Sequence, residues 1–106
     1  MQAPSQARAE ASHRRRRIEQ AELDAICARH ERLWQARPGG ARAVFAWMDL
    51  SGLSLAGRNL ADADFTAAFL GGCDLTAAKL DNATLFGADM QEARLAGASL
   101  RRADLR

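Results

Sequence analysis

The sequence predicts an all-β solenoid, a four-sided β-helix of about three coils that begins with a capping α-helix. Three observations lead to this fold class. A five-residue repeat runs from residue 41 to the end of the chain. A second position inside each repeat is kept small, and a stretch with helical periodicity precedes the first repeat.

The repeat is exact in its phase. From Ala41 the chain divides into thirteen blocks of five residues, and the last residue of every block is large and apolar. The third residue is Ala in nine blocks and Cys in one, and the three exceptions, Met48, Leu53 and Arg58, fall in consecutive blocks. The block-final residues are the predicted structural core: Phe45, Leu50, Leu55, Leu60, Phe65, Leu70, Leu75, Leu80, Leu85, Met90, Leu95, Leu100 and Leu105.

A period of five fits neither an α-helix nor a straight strand, whose side-chain periods are about 3.6 and 2. The chain must therefore turn a corner once in each block, with one large and one small residue pointing inward. Four corners close a square coil of twenty residues, and stacked coils lie about 4.8 Å apart. Phe45 is then expected above Phe65, and Phe65 above Leu85. The third position is small because so thin an interior has no room for two large residues on one side.

Residues 18–37 are predicted to form an amphipathic helix that caps the first coil, ending before Pro38 and its two glycines. An open solenoid end exposes apolar side chains and unpaired backbone groups, and a capping element covers them. The third-position exceptions belong to the first coil, which has no coil above it, so larger side chains can reach the helix. The residues predicted to pack in this cap are Leu23, Ile26, Leu33, Trp34, Met48 and Leu53.

Positive charge is concentrated before the repeats. Residues 1–47 contain nine Arg and five acids, whereas residues 48–106 contain six basic and eight acidic residues. Residues 1–17 have few large apolar side chains and are predicted to be a disordered basic tail. The Arg14–Arg17 run is expected to be solvated, and nucleic-acid binding through it is an alternative.

The blocks resemble the pentapeptide repeat family, whose consensus is roughly A-(D/N)-L-x-x. Matching stretches include Ala63-Asp64-Phe65, Ala88-Asp89-Met90 and Ala103-Asp104-Leu105, and the resemblance covers residues 41–106. It implies that the β-helix is right-handed. Some family members also begin with a helix that carries His-x-x-x-Trp, which His30 and Trp34 match here.

Catalytic chemistry has no support in the sequence, so no catalytic, cofactor-binding or metal site is predicted. His30 is expected to be a packed helix residue because no second ligand follows it at a suitable spacing. The Asp that often precedes the large residue of a block is expected to bond the backbone of the following turn. Asp74 with Arg94 and Asp81 with Arg101 are candidate ion pairs between coils. Cys27 and Cys73 are expected to be reduced, buried thiols.

The predicted function is therefore a non-catalytic module for protein–protein interaction or scaffolding, without a small-molecule substrate. The open C-terminal end is expected to be covered by a partner, by a second copy of the chain, or by further chain beyond Arg106. The resemblance implies an alternative, since some family members mimic DNA and engage type II topoisomerases. That role suits a long acidic rod, whereas these repeats carry a net charge of only −2. The resemblance implies a bacterial protein, since family members are mostly bacterial. Without a readable export signal or an apolar run of about 20 residues, a cytoplasmic protein with no membrane partner is expected.

Overall fold

The computed structural model describes residues 15–106. Strand β1 (Arg16–Arg17) precedes helix α1 (Gln20–Trp34), and strand β2 (Met48–Asp49) follows it. Strands β1 and β2 pair in parallel, with Arg16 opposite Met48 and Arg17 opposite Asp49. The predicted boundaries of the tail and the helix are not those of the structure. Arg16–Arg17, at the end of the predicted tail, form a strand, and the helix spans Gln20–Trp34 where residues 18–37 were expected. Residues 1–14 lie outside the described part of the chain.

The repeat region is a stack of coils joined by parallel backbone bridges between residues twenty apart. One column of bridges joins Val44 to Asp64, Asp64 to Thr84, and Thr84 to Asp104. Between such pairs the backbone bonds run in both directions. Asp64 donates its N–H to the carbonyl of Ala43 at 3.1 Å, and its own carbonyl accepts from Phe45 at 2.7 Å. The backbone thus completes one circuit every twenty residues.

Each coil has four sides. We number them by the outward-pointing residue in the middle of each side of the first coil. Side 1 carries Val44, side 2 Asp49, side 3 Ser54 and side 4 Asn59, and each begins a column of parallel bridges. Neighbouring sides meet at a corner formed by the first two residues of a block.

The corners are tight turns. The third residue of a block donates its N–H to the carbonyl that ends the preceding block, as Ala63 does to Leu60 at 3.1 Å. The second residue of the block has a positive φ, which together with this bond defines a type II turn. Glycine takes this conformation without strain. It occupies five corners, and seven other corners are occupied by Trp47, Asp62, Ala67, Ala77, Asn82, Glu92 and Arg102.

The block-final side chains point into the coils and form the core. The rings of Phe45 and Phe65 stack with their centroids 5.1 Å apart, as the twenty-residue register predicts. Third-position side chains such as Ala63 and Cys73 fill the space between the large ones and are fully buried. The block-final residues from the first coil to Leu85 are at most 2 % exposed: Phe45, Leu50, Leu55, Leu60, Phe65, Leu70, Leu75, Leu80 and Leu85.

The predicted core residues at the open C-terminal end are exposed or only partly buried. Leu95 is 37 % exposed and Leu105 is 59 % exposed, while Met90 and Leu100 are only partly buried. Within residues 15–106 no further coil lies over these side chains, so they have core neighbours on one side only. The core is therefore graded along the solenoid axis.

Among residues 15–106, no helix is long and apolar enough to cross a lipid bilayer.

Candidate interaction surfaces

The first coil has an edge of backbone groups that no preceding coil can satisfy. On side 2, strand β1 forms hydrogen bonds with this edge. The N–H of Arg16 donates to the carbonyl of Trp47 at 3.2 Å, and that of Ile18 donates to Asp49 at 3.4 Å. The guanidinium of Arg17 donates to the carbonyl of Ser51 at 2.8 Å, which covers the corner that follows. On this side the N-terminal segment takes the place of a coil.

On side 3 a side-chain amide replaces the missing strand. The N–H of Ser54 donates to Oε1 of Gln20 at 2.9 Å, and Nε2 of Gln20 donates to the carbonyl of Ser54 at 2.8 Å. Because Gln20 is the first residue of α1, the helix begins directly over this side.

On side 4 the third-position exception Arg58 joins the repeat to α1. Its Nη1 donates to Glu31 at 2.7 Å, and its Nη2 contacts Asp24 at 3.3 Å. The second carboxylate oxygen of Glu31 accepts the N–H of Asn59 at 3.2 Å. Partial burial lowers the pKa of Arg58, but the hydrogen bond and charge of Glu31 outweigh it and the net shift is upward. An arginine is tolerated at this inward position because the helix supplies carboxylates there.

On side 1 the imidazole of His30, which is fully buried, fills the gap. Its Nδ1 accepts the N–H of Ala43 at 2.9 Å, so the ring proton lies on Nε2, which donates to the carbonyl of Ala61 at 2.8 Å. The indole N–H of Trp34 reaches the same carbonyl at 3.1 Å. Both ring nitrogens of His30 are thus occupied by backbone groups.

Apolar contacts between α1 and the first coil involve only part of the predicted set. Leu23 is fully buried, Leu53 is 8 % exposed, and Ile26 and Met48 pack partly buried against the core. The prediction is wrong for Leu33, which is 49 % exposed. Trp34 is 50 % exposed, and its indole N–H donates to the carbonyl of Ala61.

Leu33 and Trp34 differ from the prediction at the C-terminal end of α1, where they are its last two residues. Ile18, which the sequence pattern did not single out, is 1 % exposed and completes the apolar layer from the end of β1.

The described arginines of the N-terminal run contact the solenoid and not only solvent. The guanidinium of Arg15 lies over the ring of Phe69, 3.9 Å from its centroid, and its Nε donates to the carbonyl of Ala67 at 2.6 Å. Arg16 is paired with Glu22. With Arg17 bonded to the first coil, three residues of the run are structural; Arg14 lies outside the described residues.

The outward aspartates bond the turn that follows each of them. Asp64 accepts both the N–H of Thr66 at 2.9 Å and its hydroxyl at 2.6 Å, and Asp74 accepts the N–H of Thr76 at 3.0 Å. Partial burial raises the pKa of Asp64, but the bonds from Thr66 outweigh it and the net shift is downward. These carboxylates stabilise corners. In the described part of the chain, no group of three or more His, Cys, Asp or Glu could hold a metal ion.

Of the two candidate ion pairs between coils, Asp74 and Arg94 are 3.6 Å apart, with the Arg94 side chain 70 % exposed. Arg101 meets Asp81 through its backbone N–H instead, at 3.0 Å. Exposed pairs of this kind contribute little to stability.

The two cysteines are buried free thiols. Burial raises the pKa of Cys27 to about 12, and it raises that of Cys73 to about 11. The thiol of Cys73 donates to the carbonyl of Leu50 at 3.0 Å, one coil away. Protonated, inaccessible thiols are poor nucleophiles, so both belong to the core.

The C-terminal coil, residues 86–105, leaves its outer edge open. One coil earlier, Leu75 and Leu80 donate their N–H groups to the next coil at 2.8 and 2.7 Å. The equivalent N–H groups of Leu95 and Leu100 have no hydrogen-bond partner within residues 15–106. This coil therefore combines unpaired strand groups with the exposed apolar side chains described above.

Sequence reasoning did not find Gln20, Glu31 or the strand at Arg16–Arg17 as parts of the N-terminal closure. In the sequence, Gln20 and Glu31 look like any other polar residues of a helix. They close the first coil only because the backbone groups of Ser54 and Asn59 lie beneath them. Arg58 carried the one usable signal, because a charged residue at an inward position requires a partner.

Comparison with known proteins agrees with the repeat. The family model described as pentapeptide repeats matches in eight copies, over residues 41–76, 59–95 and 70–106. No curated protein sequence matches significantly.

Among solved structures, a pentapeptide repeat protein (Rfr23) from the cyanobacterium Cyanothece 51142 is similar, with 29 % identity, a TM-score of 0.59, and coverage of 61 % of this chain and 45 % of its own. A pentapeptide repeat protein from the thylakoid lumen of Arabidopsis thaliana matches with 25 % identity, a TM-score of 0.47, and coverage of 59 % and 47 %. This chain thus spans less than half the length of either relative.

Proteins of this family form right-handed quadrilateral β-helices, and the similarity to the Cyanothece structure supports that fold here. The family model matches residues 41–106, which is more than half of the chain, so this chain belongs to the pentapeptide repeat family.

Proposed function

We propose that this chain is a non-catalytic protein–protein interaction module that self-associates through its C-terminal coil. The observation that carries the proposal is the contrast between the two ends of the solenoid. In the described structure, N-terminal groups bond to all four sides of the first coil, whereas Leu95 and Leu105 are exposed beside unpaired N–H groups at the other end. Unpaired strand edges next to apolar side chains favour pairing with another chain.

The closed N-terminal end limits the geometry of association. In the proposed arrangement α1 and β1 cap the first coil, so the open coil of one copy cannot stack on the first coil of the next. Head-to-tail growth into a fibre is then blocked. Only two C-terminal coils can meet, and contact between identical surfaces gives a closed dimer.

A non-catalytic role fits the chemistry of the side chains. The interior is filled by Leu, Phe and Ala, and His30 has both ring nitrogens bonded to backbone. The outward aspartates bond their own turns, as Asp64 does. Binding through surfaces therefore has more support than turnover of a substrate.

The alternative functions have less support. A DNA mimic needs a run of acidic surface, whereas the C-terminal coil carries Arg94, Arg101 and Arg102. Binding of nucleic acid through the Arg run conflicts with the contacts of Arg15, Arg16 and Arg17 to the solenoid and to nearby acids.

Analytical ultracentrifugation of the full chain over a range of concentrations tests the proposal. We expect a monomer–dimer equilibrium that Leu95→Glu shifts strongly toward monomer. Leu33→Glu, which places the same charge at an exposed apolar position of α1, is the matched control and should leave the equilibrium unchanged. A chain that stays monomeric at high concentration, or a dimer insensitive to Leu95→Glu, would overturn the proposal.

A further inference from the structure

Exposed apolar side chains cluster on one side of the N-terminal end. Seven large hydrophobic residues are exposed in residues 15–106, and four of them lie between positions 33 and 47. Leu33 is 49 %, Trp34 50 %, Val44 46 % and Trp47 60 % exposed. We name these four residues the aromatic rim. The two tryptophans of the chain both belong to it.

Backbone contacts join the helix end of the rim to side 1. The N–H of Ala41 donates to the carbonyl of Arg29 in α1 at 3.0 Å. Gly40 lies so close to α1 that a Cβ built on it would be 2.5 Å from the backbone nitrogen of Leu33. The segment that leads into Val44 therefore runs against the flank of α1 that carries Leu33 and Arg29.

A second set of contacts ties Trp34 to the same region. The indole of Trp34 donates to the carbonyl of Ala61, and Nε of Arg42 donates to the next carbonyl, that of Asp62, at 2.7 Å. Trp34 and Arg42 thus meet at one corner of side 1, and Trp47 lies at the other corner of this side.

The fold itself does not require a tryptophan at position 47. Trp47 occupies a corner position with φ +62°, where glycine stands at five other corners. A bulky residue in this conformation costs about 1 kcal/mol or more. The guanidinium of Arg15 lies 5.7 Å from its ring centroid, yet 60 % of the side chain faces solvent. A strained and exposed aromatic residue indicates a contact outside the chain.

The segment that carries the aromatic rim has a net positive charge, and the nearest acids on the same side, Asp62 and Asp64, lie one coil below it. Residues 29–47 contain four arginines and one acid, Glu31, whose carboxylate is engaged by Arg58. All four arginines are exposed, and within the described structure none of them forms an ion pair: Arg29, Arg32, Arg37 and Arg42. A basic surface interleaved with exposed tryptophans therefore faces solvent.

We infer that the aromatic rim docks an acidic segment of a partner protein that carries apolar side chains. Arginine bonds carboxylates through two parallel N–H groups, and Trp and Arg are enriched at the energetic centres of protein interfaces. The aliphatic Leu33 and Val44 favour a protein over single-stranded nucleic acid, whose bases stack on aromatic rings. This inference names a partner chemistry within the proposed function, at a surface remote from the C-terminal coil.

Selection of peptides on the immobilised full chain tests the inference. A library of random peptides about a dozen residues long is expected to yield acidic sequences with Leu, Phe or other apolar residues. Binding of the synthesised peptides should shift the emission of Trp34 and Trp47 to shorter wavelength, and the variants Trp34→Phe and Trp47→Phe separate the two signals. The double variant Arg29→Glu/Arg42→Glu should weaken binding by about thirtyfold, the scale of interface hot spots.

The matched control reverses charge elsewhere on the solenoid. Lys79→Glu/Arg94→Glu alters sides 4 and 3 and should leave peptide affinity unchanged. Recovery of no peptides, of neutral or basic peptides, or of peptides insensitive to Arg29→Glu/Arg42→Glu overturns the inference. Stronger emission shifts with oligothymidylate, or with vesicles of phosphatidylserine and phosphatidylcholine, overturn it in favour of nucleic acid or membrane. Leu95→Glu should not affect any of these signals, so self-association and peptide docking fail independently.

Discussion

Gln20 pairs with Ser54 through both polar atoms of its amide, accepting the N–H at 2.9 Å and donating to the carbonyl at 2.8 Å. A neighbouring strand would make the same two contacts. The end of a β-helix can thus be closed by side chains of the right length on a helix as well as by another strand. The predictions below test this closure and the packing beneath it.

Gln20→Glu should destabilise the chain by about 1–2 kcal/mol, because it removes the donor to Ser54 and sets a carboxylate against that carbonyl. Chemical denaturation followed by tryptophan fluorescence measures the loss. Gln35→Glu is the control, since the amide of Gln35 has only a 3.4 Å contact with Arg37. Equal effects of the two substitutions would show that the Gln20 amide does not close side 3.

His30→Ala should cost about 3 kcal/mol in the free energy of unfolding, since it leaves the N–H of Ala43 unpaired, removes one of the two donors to the carbonyl of Ala61, and opens a cavity. Both partners, the N–H of Ala43 and the carbonyl of Ala61, face the buried ring. Leu33→Ala, at a half-exposed position of the same helix, should cost less than about 1 kcal/mol. Thermal or urea unfolding of both variants compares them directly, and a small loss for His30→Ala would contradict the role assigned to His30.

The core should weaken along the solenoid axis. Leu75→Ala removes a fully buried side chain and should cost about 3 kcal/mol. Leu105 occupies the equivalent position of its own block but is 59 % exposed. Leu105→Ala should therefore lower the free energy of unfolding by less than about 1 kcal/mol. Urea midpoints of the two variants decide the matter, and equal losses would mean that Leu105 is covered in solution.

Corner residues should respond to backbone conformation more than to packing. At Gly72, with φ +67°, no atom lies within 4 Å of an added Cβ, so Gly72→Ala should cost about 1 kcal/mol through strain alone. The opposite change, Ala77→Gly at φ +59°, relieves that strain and should leave stability equal or up to about 1 kcal/mol higher. Denaturant unfolding of both variants measures these changes. A destabilising Ala77→Gly and a neutral Gly72→Ala would contradict the turn geometry.

The buried thiols make stability fall at high pH. Their pKa values in the folded chain are about 12 for Cys27 and about 11 for Cys73, against an ordinary value of 9.0. Above pH 9 the unfolded chain releases protons that the folded chain keeps, so the free energy of unfolding should decline as pH rises from there toward the folded pKa values.

A chromogenic disulfide reagent should react slowly with the native chain and rapidly after guanidinium unfolding. Rapid native labelling would show that the thiols are accessible.

Much of the fold follows from the sequence because the five-residue phase fixes which side chains point inward. Phe45 and Phe65 stack as their spacing of twenty predicts, and Asp64 bonds its own turn as a short polar residue is expected to. These features depend on local geometry that repeats in every block. The family resemblance is confirmed for the same reason.

The ends of the solenoid were harder to predict because they depend on contacts that do not repeat. Helical periodicity predicts Leu33 and Trp34 in the cap, but periodicity does not show which residues at the end of a helix are covered, and both are about half exposed. The basic run Arg14–Arg17 has the composition of a disordered tail. Arg16 and Arg17 nevertheless pair with the first coil, because the edge of that coil has no other strand beside it on side 2. Leu105 has the core pattern without a covering coil in the described chain, and so it is exposed.

Residue-resolved amide exchange of the full chain tests most directly whether one end is closed and the other open. In dilute protein the N–H groups of Ser54 and Asn59, bonded to Gln20 and Glu31, should exchange slowly, as should that of Leu80 in the coil interior. The N–H groups of Leu95 and Leu100 should exchange rapidly and become protected as the concentration rises. Exchange at Ser54 and Asn59 as fast as at Leu95, or exchange at Leu95 and Leu100 that does not slow with concentration, would contradict the account.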